Sequence, residues 1–241
     1  MNRIVICGDT HGVLDTIKIS NFQETDQKLD KNDYLIICGD AGIVWEYETL
    51  KESVDYFESF GTNILFVDGN HENFDILNSF PISIWNGGKV HKISDRIYHL
   101  MRGQVFNISG TTFLTIGGAD STDKEIRTES LNWWKEESFS YQDYEEAYNN
   151  LKQYDFKIDY VISHSPNNEL LQKLYNLFTC CGESVPYFLQ KKITPSQTSN
   201  ILQDIKAKIT FKKWFCGHLH IDENIEKYKI LYSYLYEIPK E

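Results

Sequence analysis

The chain has 241 residues, of which 41% are hydrophobic and 24% are charged, and its formal net charge is −11. This composition is typical of a globular protein and excludes a disordered or fibrous chain. The acidic balance also argues against general nucleic-acid binding, because attraction to a phosphate backbone depends on lysine and arginine displacing counterions. A nucleotide or another small phosphoester remains compatible, since bound cations can reverse the local charge.

The sequence gives no sign of export or of a membrane span. The apolar run near the N-terminus is too short for a signal peptide and leads directly into a Gly8-Asp9 turn. No stretch approaches the roughly 20 apolar residues that a membrane-spanning helix needs. Five cysteines, an odd number, do not suggest a disulfide framework in a chain of this length. We therefore expect a cytoplasmic protein without a membrane partner.

Short apolar runs rich in β-branched and aromatic residues predict strands along the chain. They span residues 3–7, 34–38, 64–67, 112–116, 160–162 and 214–216. Helix-compatible stretches at 14–22 and 47–60 separate the first three runs. Because strands alternating with helices form βαβ units, this half of the chain predicts a largely parallel sheet.

The second half of the chain is more mixed. Residues 141–154 predict an amphipathic helix, with acidic residues early and Lys152 late, as the helix dipole favours. Residues 167–213 are polar and helix-compatible, and they are either a helical insertion or a cap over the site. Residues 224–238 are rich in Tyr, Ile and Leu and predict a closing hairpin. No linker divides the chain, so residues 1–241 are expected to form a single domain.

Five polar blocks occur where strand-like runs end, and they contain five of the seven histidines. The blocks are Gly8-Asp9-Thr10-His11-Gly12, Gly39-Asp40-Ala41-Gly42, Gly69-Asn70-His71-Glu72, Ser163-His164-Ser165-Pro166 and Gly217-His218-Leu219-His220. In α/β sheets, functional groups gather beyond the carboxyl ends of the strands. The joint occurrence of these blocks therefore predicts one shared site.

The residue types in these blocks indicate a metal centre. Carboxylates, a carboxamide oxygen and imidazoles form a mixed oxygen and nitrogen ligand set without thiolate. Such a set suits Mn²⁺, Fe, Co²⁺, Ni²⁺ or Zn²⁺ better than Ca²⁺ or an iron–sulfur cluster. Seven ligands are too many for one tetrahedral ion but suit two ions that share a bridging carboxylate. We expect two divalent ions, with Mn²⁺ as the first choice.

The order of the blocks resembles the calcineurin-like metallophosphoesterase superfamily, whose motifs run Gly-Asp-x-His, Gly-Asp, Gly-Asn-His-(Asp/Glu), a lone His and Gly-His-x-His. The resemblance extends from Asp9 to His220. The stretch 94–136, with Gly117-Gly118 and Trp133-Trp134, is similar to a bacterial and phage branch. The resemblance implies a four-layer α/β/β/α sandwich with two mixed β-sheets.

The resemblance also implies a role for each matched residue. One metal ion would be held by Asp9, His11 and His220, the other by Asn70, His164 and His218, with Asp40 bridging both. A hydroxide bridging the metals would attack phosphorus. His71, which follows a ligand without being one, would protonate the leaving oxygen as a general acid.

The second block departs from one branch of the superfamily. Protein serine/threonine phosphatases continue it as Gly-Asp-x-Val-Asp-Arg-Gly, which supplies an aspartate for the catalytic histidine and an arginine for phosphate. Here Ala41-Gly42-Ile43-Val44-Trp45 follows Asp40, with neither residue. Assignment to that branch is therefore disfavoured, and the orienting partner of His71 stays open, with Glu72 adjacent to it.

Three basic residues near the Gly117-Gly118 turn are candidates for binding the anionic substrate. They are Arg102, Lys124 and Arg127. The alternative is that these residues are solvated surface charges.

The function that best fits the whole pattern is hydrolysis of a phosphodiester or a phosphomonoester, with diesters slightly favoured. The first alternative is a binding scaffold that kept the fold and lost the chemistry, although such proteins usually lose ligands that this chain retains. The second is a nuclease acting on DNA or RNA, for which the sequence shows neither an additional domain nor a basic surface.

Overall fold

The computed structural model describes residues 2–180, 182 and 184–239. Within this part of the chain, no helix combines the length and the apolar character that crossing a membrane requires. The strands are β1 (Ile4–Cys7), β2 (Tyr34–Ile37), β3 (Asn63–Phe66), β4 (Ile82–Trp85), β5 (Gly88–Lys92), β6 (Ile97–Leu100), β7 (Gln104–Ile108), β8 (Thr111–Ile116), β9 (Tyr160–Ser163), β10 (Lys213–Cys216), β11 (Glu223–Ile225), β12 (Tyr228–Ile230) and β13 (Tyr236–Glu237). The α-helices are α1 (Ile17–Gln23), α2 (Leu50–Glu58), α3 (Phe74–Leu77), α4 (Tyr141–Lys152), α5 (Asn168–Thr179), α6 (Tyr187–Gln190) and α7 (Gln197–Lys206), and 3-10 turns span Lys124–Ile126 and Lys135–Glu137.

The strands form two mixed sheets. The first has the order β13-β1-β2-β3-β6-β5-β4, and the second has the order β11-β12-β10-β9-β8-β7. The centre of each sheet is parallel, through β1-β2-β3-β6 in the first and β12-β10-β9-β8 in the second. Antiparallel strands complete the edges.

Successive side chains of the strands pack on opposite faces of each sheet, and the result is a sandwich of four layers. In β1, Ile4 and Ile6 pack with Phe215 and Ile162 of the second sheet, and this cluster fills the space between the sheets. The intervening Val5 belongs, with Cys7, to a cluster that includes the side chains of α1, α2 and α3. Because successive side chains of a strand point to opposite faces, each sheet contributes to two layers of core. The observed α/β/β/α sandwich confirms the predicted fold class.

The second helical layer covers the outer face of the six-stranded sheet. Leu170 and Leu174 of α5 and Leu202 of α7 lie in one buried cluster with Val161 and Trp214 of that sheet. Both helices begin at a side-chain cap, Asn167 for α5 and Ser196 for α7. The described part of 167–213 therefore contributes an outer layer of the sandwich.

The six predicted strands are confirmed, with ends within one residue of those expected, and so is the helix at α4. The strands β4 to β7 were not predicted, because each has only four or five residues and mixes apolar with polar side chains. The predicted hairpin at 224–238 is wrong in its second half. β11 and β12 form a hairpin, but β13 crosses to the first sheet and pairs with β1.

Candidate metal centre

The polar blocks meet at one edge of the sandwich. Asp9 and Asp40 follow β1 and β2 of the first sheet, and His164 and His218 follow β9 and β10 of the second. Within each sheet these strands are parallel, so their carboxyl ends share an edge. This is where α/β folds usually place ligands. It brings together residues far apart in the chain, as in the hydrogen bond from the His218 backbone N–H to Asp9 Oδ1 (2.9 Å), which spans 209 positions.

Three overlapping groups of side chains have ligand atoms within 4.8 Å of one another. They are Asp9, His11 and His220; His11, Asp40 and His71; and Asp9, Asp40 and His164. Because the groups share members, they form one continuous site. The structure therefore brings most of the predicted metal ligands together, and it also places His71, which was not expected to be a ligand, beside His11 and Asp40.

Several candidate ligand atoms of this site lie close together, and not all of them have a hydrogen-bond partner. Oδ2 of Asp9 is buried and has no hydrogen bond among the described residues, although Nε2 of His220 lies only 3.1 Å away. His164 Nε2 lies 3.3 Å from Asp40 Oδ1 and 3.3 Å from Asn70 Oδ1. A buried, unsatisfied carboxylate oxygen is costly unless a cation takes the vacant partner's place. The donor set thus fits divalent ions.

His218 and Asn70, two further predicted ligands, lie at the same edge. The His218 ring packs edge-on against His164, with centroids 5.0 Å apart. Asn70 Nδ2 donates to Ser121 Oγ at 3.3 Å, and Ser121 Oγ in turn donates to Glu137 Oε2 at 2.8 Å. These two bonds leave Asn70 Oδ1 facing His164. Neither Ser121 nor Glu137 was predicted from the sequence to serve the site, because neither is a residue type that binds these metals within one of the five polar blocks.

Residues outside the candidate ligand set hold the imidazole rings of three candidate ligands in place. Asp15 Oδ2 lies 2.7 Å from Nδ1 of His11, and the backbone oxygen of Cys38 lies 2.8 Å from Nδ1 of His164. Each of these bonds leaves Nε2 directed at Asp40. Tyr232 stacks on the His220 ring with centroids 4.8 Å apart. Such outer contacts set the tautomer and direction of metal-binding histidines.

Backbone strain is concentrated at the site. Four candidate ligands have positive φ angles, at 43° for His11, 48° for Asp40, 67° for His218 and 53° for His220. Residues other than glycine rarely occupy this region, and those that do cluster at functional sites. The strain turns side chains that follow a strand toward the shared edge.

Glycines before the ligands give them room. A Cβ atom at Gly217 would lie 2.1 Å from Asp9 Oδ1, and one at Gly39 would lie 2.5 Å from the His164 ring. Any larger residue at these two positions would displace a candidate ligand, which explains why glycine precedes both Asp40 and His218.

The buried charges of the site are strongly coupled. Burial by itself would raise the pKa of the Asp40 carboxyl, but the neighbouring His164 and His11 outweigh it and hold that pKa well below its usual range. Burial would lower the pKa of His164, yet the carboxylates of Asp40 and Asp9 raise it to about 9. In the metal-free protein, His164 therefore carries a proton that a bound cation would replace.

His71 lies beside the predicted ligands with a free imidazole. Its ring packs edge-on against His11 at 5.5 Å, and its backbone N–H donates to Asp40 Oδ1 at 2.8 Å. Among the described residues, none forms a hydrogen bond with the His71 ring. Burial, and then the nearby charge of Arg127, lowers its pKa. Glu72 does not orient it, because Glu72 Oε1 accepts from the Ala41 backbone N–H at 2.8 Å.

Arg102, the first predicted substrate-binding residue, lies in a buried ion pair. Its Nε donates to Asp68 Oδ2 at 2.8 Å, and Nη2 contacts the same oxygen. The guanidinium also donates to the backbone oxygens of Glu136, Glu137 and Ser138, at 2.8, 3.1 and 2.9 Å. Its nitrogens are thus engaged by protein oxygens, which favours a structural role over the predicted substrate contact.

The other two predicted basic residues lie in the loop beyond the Gly117-Gly118 turn. Arg127 Nε pairs with Asp123 Oδ1 at 2.8 Å, and its charge is close enough to lower the pKa of His71. Lys124 is exposed on a 3-10 turn. Of the three predicted residues, Arg127 is therefore the one that the structure brings near the centre.

Lys192 is a basic residue near the centre that sequence reasoning missed. Its Nζ donates to the backbone oxygen of His218 at 2.6 Å, and burial lowers its pKa, against the opposing effect of Asp9 and Asp40. Lys192 follows α6, far along the chain from any motif, so no spacing could have identified it.

The chain is similar in sequence to one family of known proteins. Residues 2–222 match the sequence profile of the calcineurin-like phosphoesterase family. A solved structure of phosphopantetheinyl hydrolase from Mycobacterium tuberculosis is similar, with 14% identity and a TM-score of 0.49, over 100% of this chain and 96% of that one. No protein with a curated description matches the chain.

Proposed function

We propose a specific activity for this chain, which belongs to the calcineurin-like phosphoesterase family: hydrolysis of a small phosphodiester or phosphomonoester at a two-metal centre. Membership of the family makes the chain a hydrolase of phosphoester bonds that depends on divalent metal ions. The identity of the ester, the ligand assignment and the role of each side chain are the proposal.

The observation that carries the proposal is the buried pair of Asp9 and Asp40 with imidazoles directed at both. In each of three groups the ligand atoms lie within 4.8 Å of one another, and Asp9 Oδ2 is buried with no hydrogen bond from any described residue. Two carboxylates this close would repel each other unless positive charge lay between them. Protonated histidines supply that charge in the metal-free protein, and two divalent cations would supply it in the active one.

The ligand assignment divides the site into two sets that share Asp40. The first ion would be held by Asp9, His11 and His220, and the second by Asn70, His164 and His218. Bound divalent ions supply positive charge to the phosphoryl oxygens and lower the pKa of an attacking water. We propose Mn²⁺ as the first choice, with Fe, Zn²⁺, Ni²⁺ or Co²⁺ as alternatives suited to the same mixed donors.

The outer contacts give the residues of this chain distinct tasks. Asp15 and the Cys38 carbonyl hold His11 and His164 with Nε2 toward Asp40. His71, whose ring makes no hydrogen bond among the described residues, is free to donate a proton to the leaving oxygen. Arg127 and Lys192 place positive charge beside the centre, where it would favour an anionic substrate.

The substrate is proposed to be small. The formal net charge of −11 disfavours a nucleic-acid backbone but not a compact ester such as a nucleotide. Between the two ester types we favour diesters slightly, because the second block lacks the arginine that protein phosphatases use for a terminal phosphate.

The test combines metal content with activity. Protein purified without chelator is analysed for metals, and then assayed with added Mn²⁺ against p-nitrophenyl phosphate and bis-p-nitrophenyl phosphate. We expect close to two metal ions per chain and hydrolysis of at least one ester. Asp40→Asn should lower both, whereas Asp95→Asn, which alters a carboxylate at the surface, should change neither.

The outcomes separate the alternatives. A protein that binds no metal and hydrolyses neither ester would favour the scaffold. Cleavage of single-stranded or duplex DNA at physiological salt, faster than that of either small ester, would favour the nuclease. Faster turnover of the monoester with every metal tried would leave the centre in place and reject the diester preference.

A further inference from the structure

A groove of about 740 Å³ opens beside the candidate metal centre. Its inner end is formed by His11 and His71, and its walls by the loop after β1, the loop after β2 and the exposed face of α2. The lining side chains besides the two histidines are Val13, Leu14, Trp45, Thr49, Glu52, Ser53 and Tyr56. This volume is within the range of sites that bind small molecules.

The walls of the groove are mostly apolar and partly rigid. Tyr56 is held by a hydrogen bond of 2.7 Å between its hydroxyl group and Thr16 Oγ1. Trp45 packs edge-on against Trp134, with centroids 5.7 Å apart. Opposite them, Val13 and Leu14 are 56% and 79% exposed. Apolar side chains so open to water, next to a buried polar centre, are expected where an apolar part of a ligand binds.

The position of His71 indicates which part of the substrate enters the groove. A general acid must lie within hydrogen-bond reach of the oxygen that it protonates. If His71 has this role, the leaving oxygen lies on its side of the phosphorus atom, and the rest of the leaving group extends along the surface that His71 lines. That surface is the groove.

The chemistry of the walls restricts the leaving group. Val13, Leu14, Trp45 and Tyr56 favour an aromatic or aliphatic body, whereas the carboxylate of Glu52 disfavours an anionic one. A polyphosphate or a second phosphate group would therefore fit poorly there.

We infer that the substrate is a phosphoester whose leaving alcohol carries an uncharged aromatic or aliphatic group, which binds in this groove. The inference rests on the proposed function. Water adds to phosphorus and releases a proton to solvent, the bond from phosphorus to the leaving oxygen breaks, and the proton of His71 passes to that oxygen, so that the product is a neutral alcohol. His71 then regains a proton from solvent. Leu14 and Trp45 are specificity-determining residues of this reaction.

Phenyl phosphate and 2-naphthyl phosphate test the inference, because their leaving alcohols have similar acidity but different apolar size. With wild-type protein and Mn²⁺, kcat/KM should be at least about tenfold higher for the naphthyl ester, as expected for several added carbons in an apolar site. Leu14→Glu should reduce that preference to less than about threefold, because it lowers kcat/KM more for the naphthyl ester than for the phenyl ester. Metal content should not change.

Ile17→Glu is the matched control, since Ile17 is 67% exposed in the same segment and does not line the groove. It adds the same charge and should keep the full preference. Binding of phenylphosphonate and 2-naphthylphosphonate, measured by calorimetry, should show the same order without turnover.

Equal kcat/KM values for the two esters, or a naphthyl preference that persists in Leu14→Glu, would overturn the inference and leave the proposed function intact. A wild-type dimer that Leu14→Glu converts to a monomer would also overturn it, because the groove would then be an interface between two copies. If neither these monoesters nor bis-p-nitrophenyl phosphate is hydrolysed, the proposed function fails, and the order of phosphonate binding alone decides whether the groove selects apolar ligands. If only the diester is hydrolysed, the proposed function stands and the order of phosphonate binding decides the inference.

Discussion

Replacing Arg102 by alanine should destabilise the fold rather than weaken substrate binding. The guanidinium is the ion-pair partner of Asp68, which is only 1% exposed and lies at the end of β3, just before the Gly69-Asn70-His71 block. Removing Arg102 leaves the buried carboxylate of Asp68 with His99 Nε2, 3.0 Å from Oδ1, as its remaining ion-pair partner. It also deprives three backbone oxygens of a donor.

The expected cost follows from this geometry. Truncating one partner of a buried ion pair typically costs about 3–5 kcal/mol, because the remaining charge stays desolvated. That is a large share of the roughly 5–15 kcal/mol by which a domain is stable. Replacing Asp68 as well, in the double variant Arg102→Ala with Asp68→Asn, removes the buried carboxylate charge that Arg102 balances. The double variant should therefore be more stable than the sum of the two single changes predicts, by about 0.5–3 kcal/mol.

Urea unfolding with chelator present measures this cost without the stabilisation that bound metal adds. Lys51→Ala, which removes an exposed ion pair with Asp55, is the control. It should leave the urea midpoint of unfolding unchanged within error. The reasoning is refuted if Arg102→Ala unfolds at the wild-type urea concentration while its KM rises tenfold or more, since Arg102 would then bind substrate as first predicted from the sequence.

Three further outcomes are expected. His71→Ala should keep its metal while kcat falls by about 10²–10⁴-fold, and loss of metal as well would make His71 a ligand. Asp15→Asn should weaken metal binding by about 10–100-fold in a chelator competition, because it removes the partner of His11 Nδ1, and unchanged affinity would contradict that role. Burial and the neighbouring His99 lower the pKa of His91 to about 4. The folded protein therefore favours neutral His91, and this contribution to the free energy of unfolding is complete above about pH 6.5. It is lost as the pH falls toward 4, by up to about 3 kcal/mol. The free energy of unfolding of metal-free His91→Asn should depend less on pH across this interval than that of the wild type. Identical pH profiles would refute the lowered pKa of His91.

The fold was predictable from the sequence where elements repeat a pattern. Strands β1, β2 and β3 are short buried runs that end in a turn, and the motifs after them gave the family and hence the second sheet. Strands β4 and β7 have no such run, since they mix apolar with polar residues and lie at sheet edges, where each pairs with the next strand in the chain. β13 has only two residues, and its place beside β1 is decided by contacts that no local pattern records.

The site was predictable where chemistry and spacing coincide, as at Asp9, Asp40 and His164, which the structure brings together. It was less predictable for residues that serve the site from other segments. Lys192 Nζ donates to the backbone oxygen of His218, and Asp15 Oδ2 forms a hydrogen bond with Nδ1 of His11. The same limit applies to Arg102, because proximity in sequence to a glycine turn does not reveal the buried Asp68 with which it forms an ion pair.

The left-handed backbone at His11, Asp40, His218 and His220 implies a conflict between durability and activity. At each of these positions glycine would relax the main chain, and selection for stability alone would favour it. The four side chains persist only while their chemistry is under selection. A descendant that abandoned hydrolysis should therefore accumulate glycine here early.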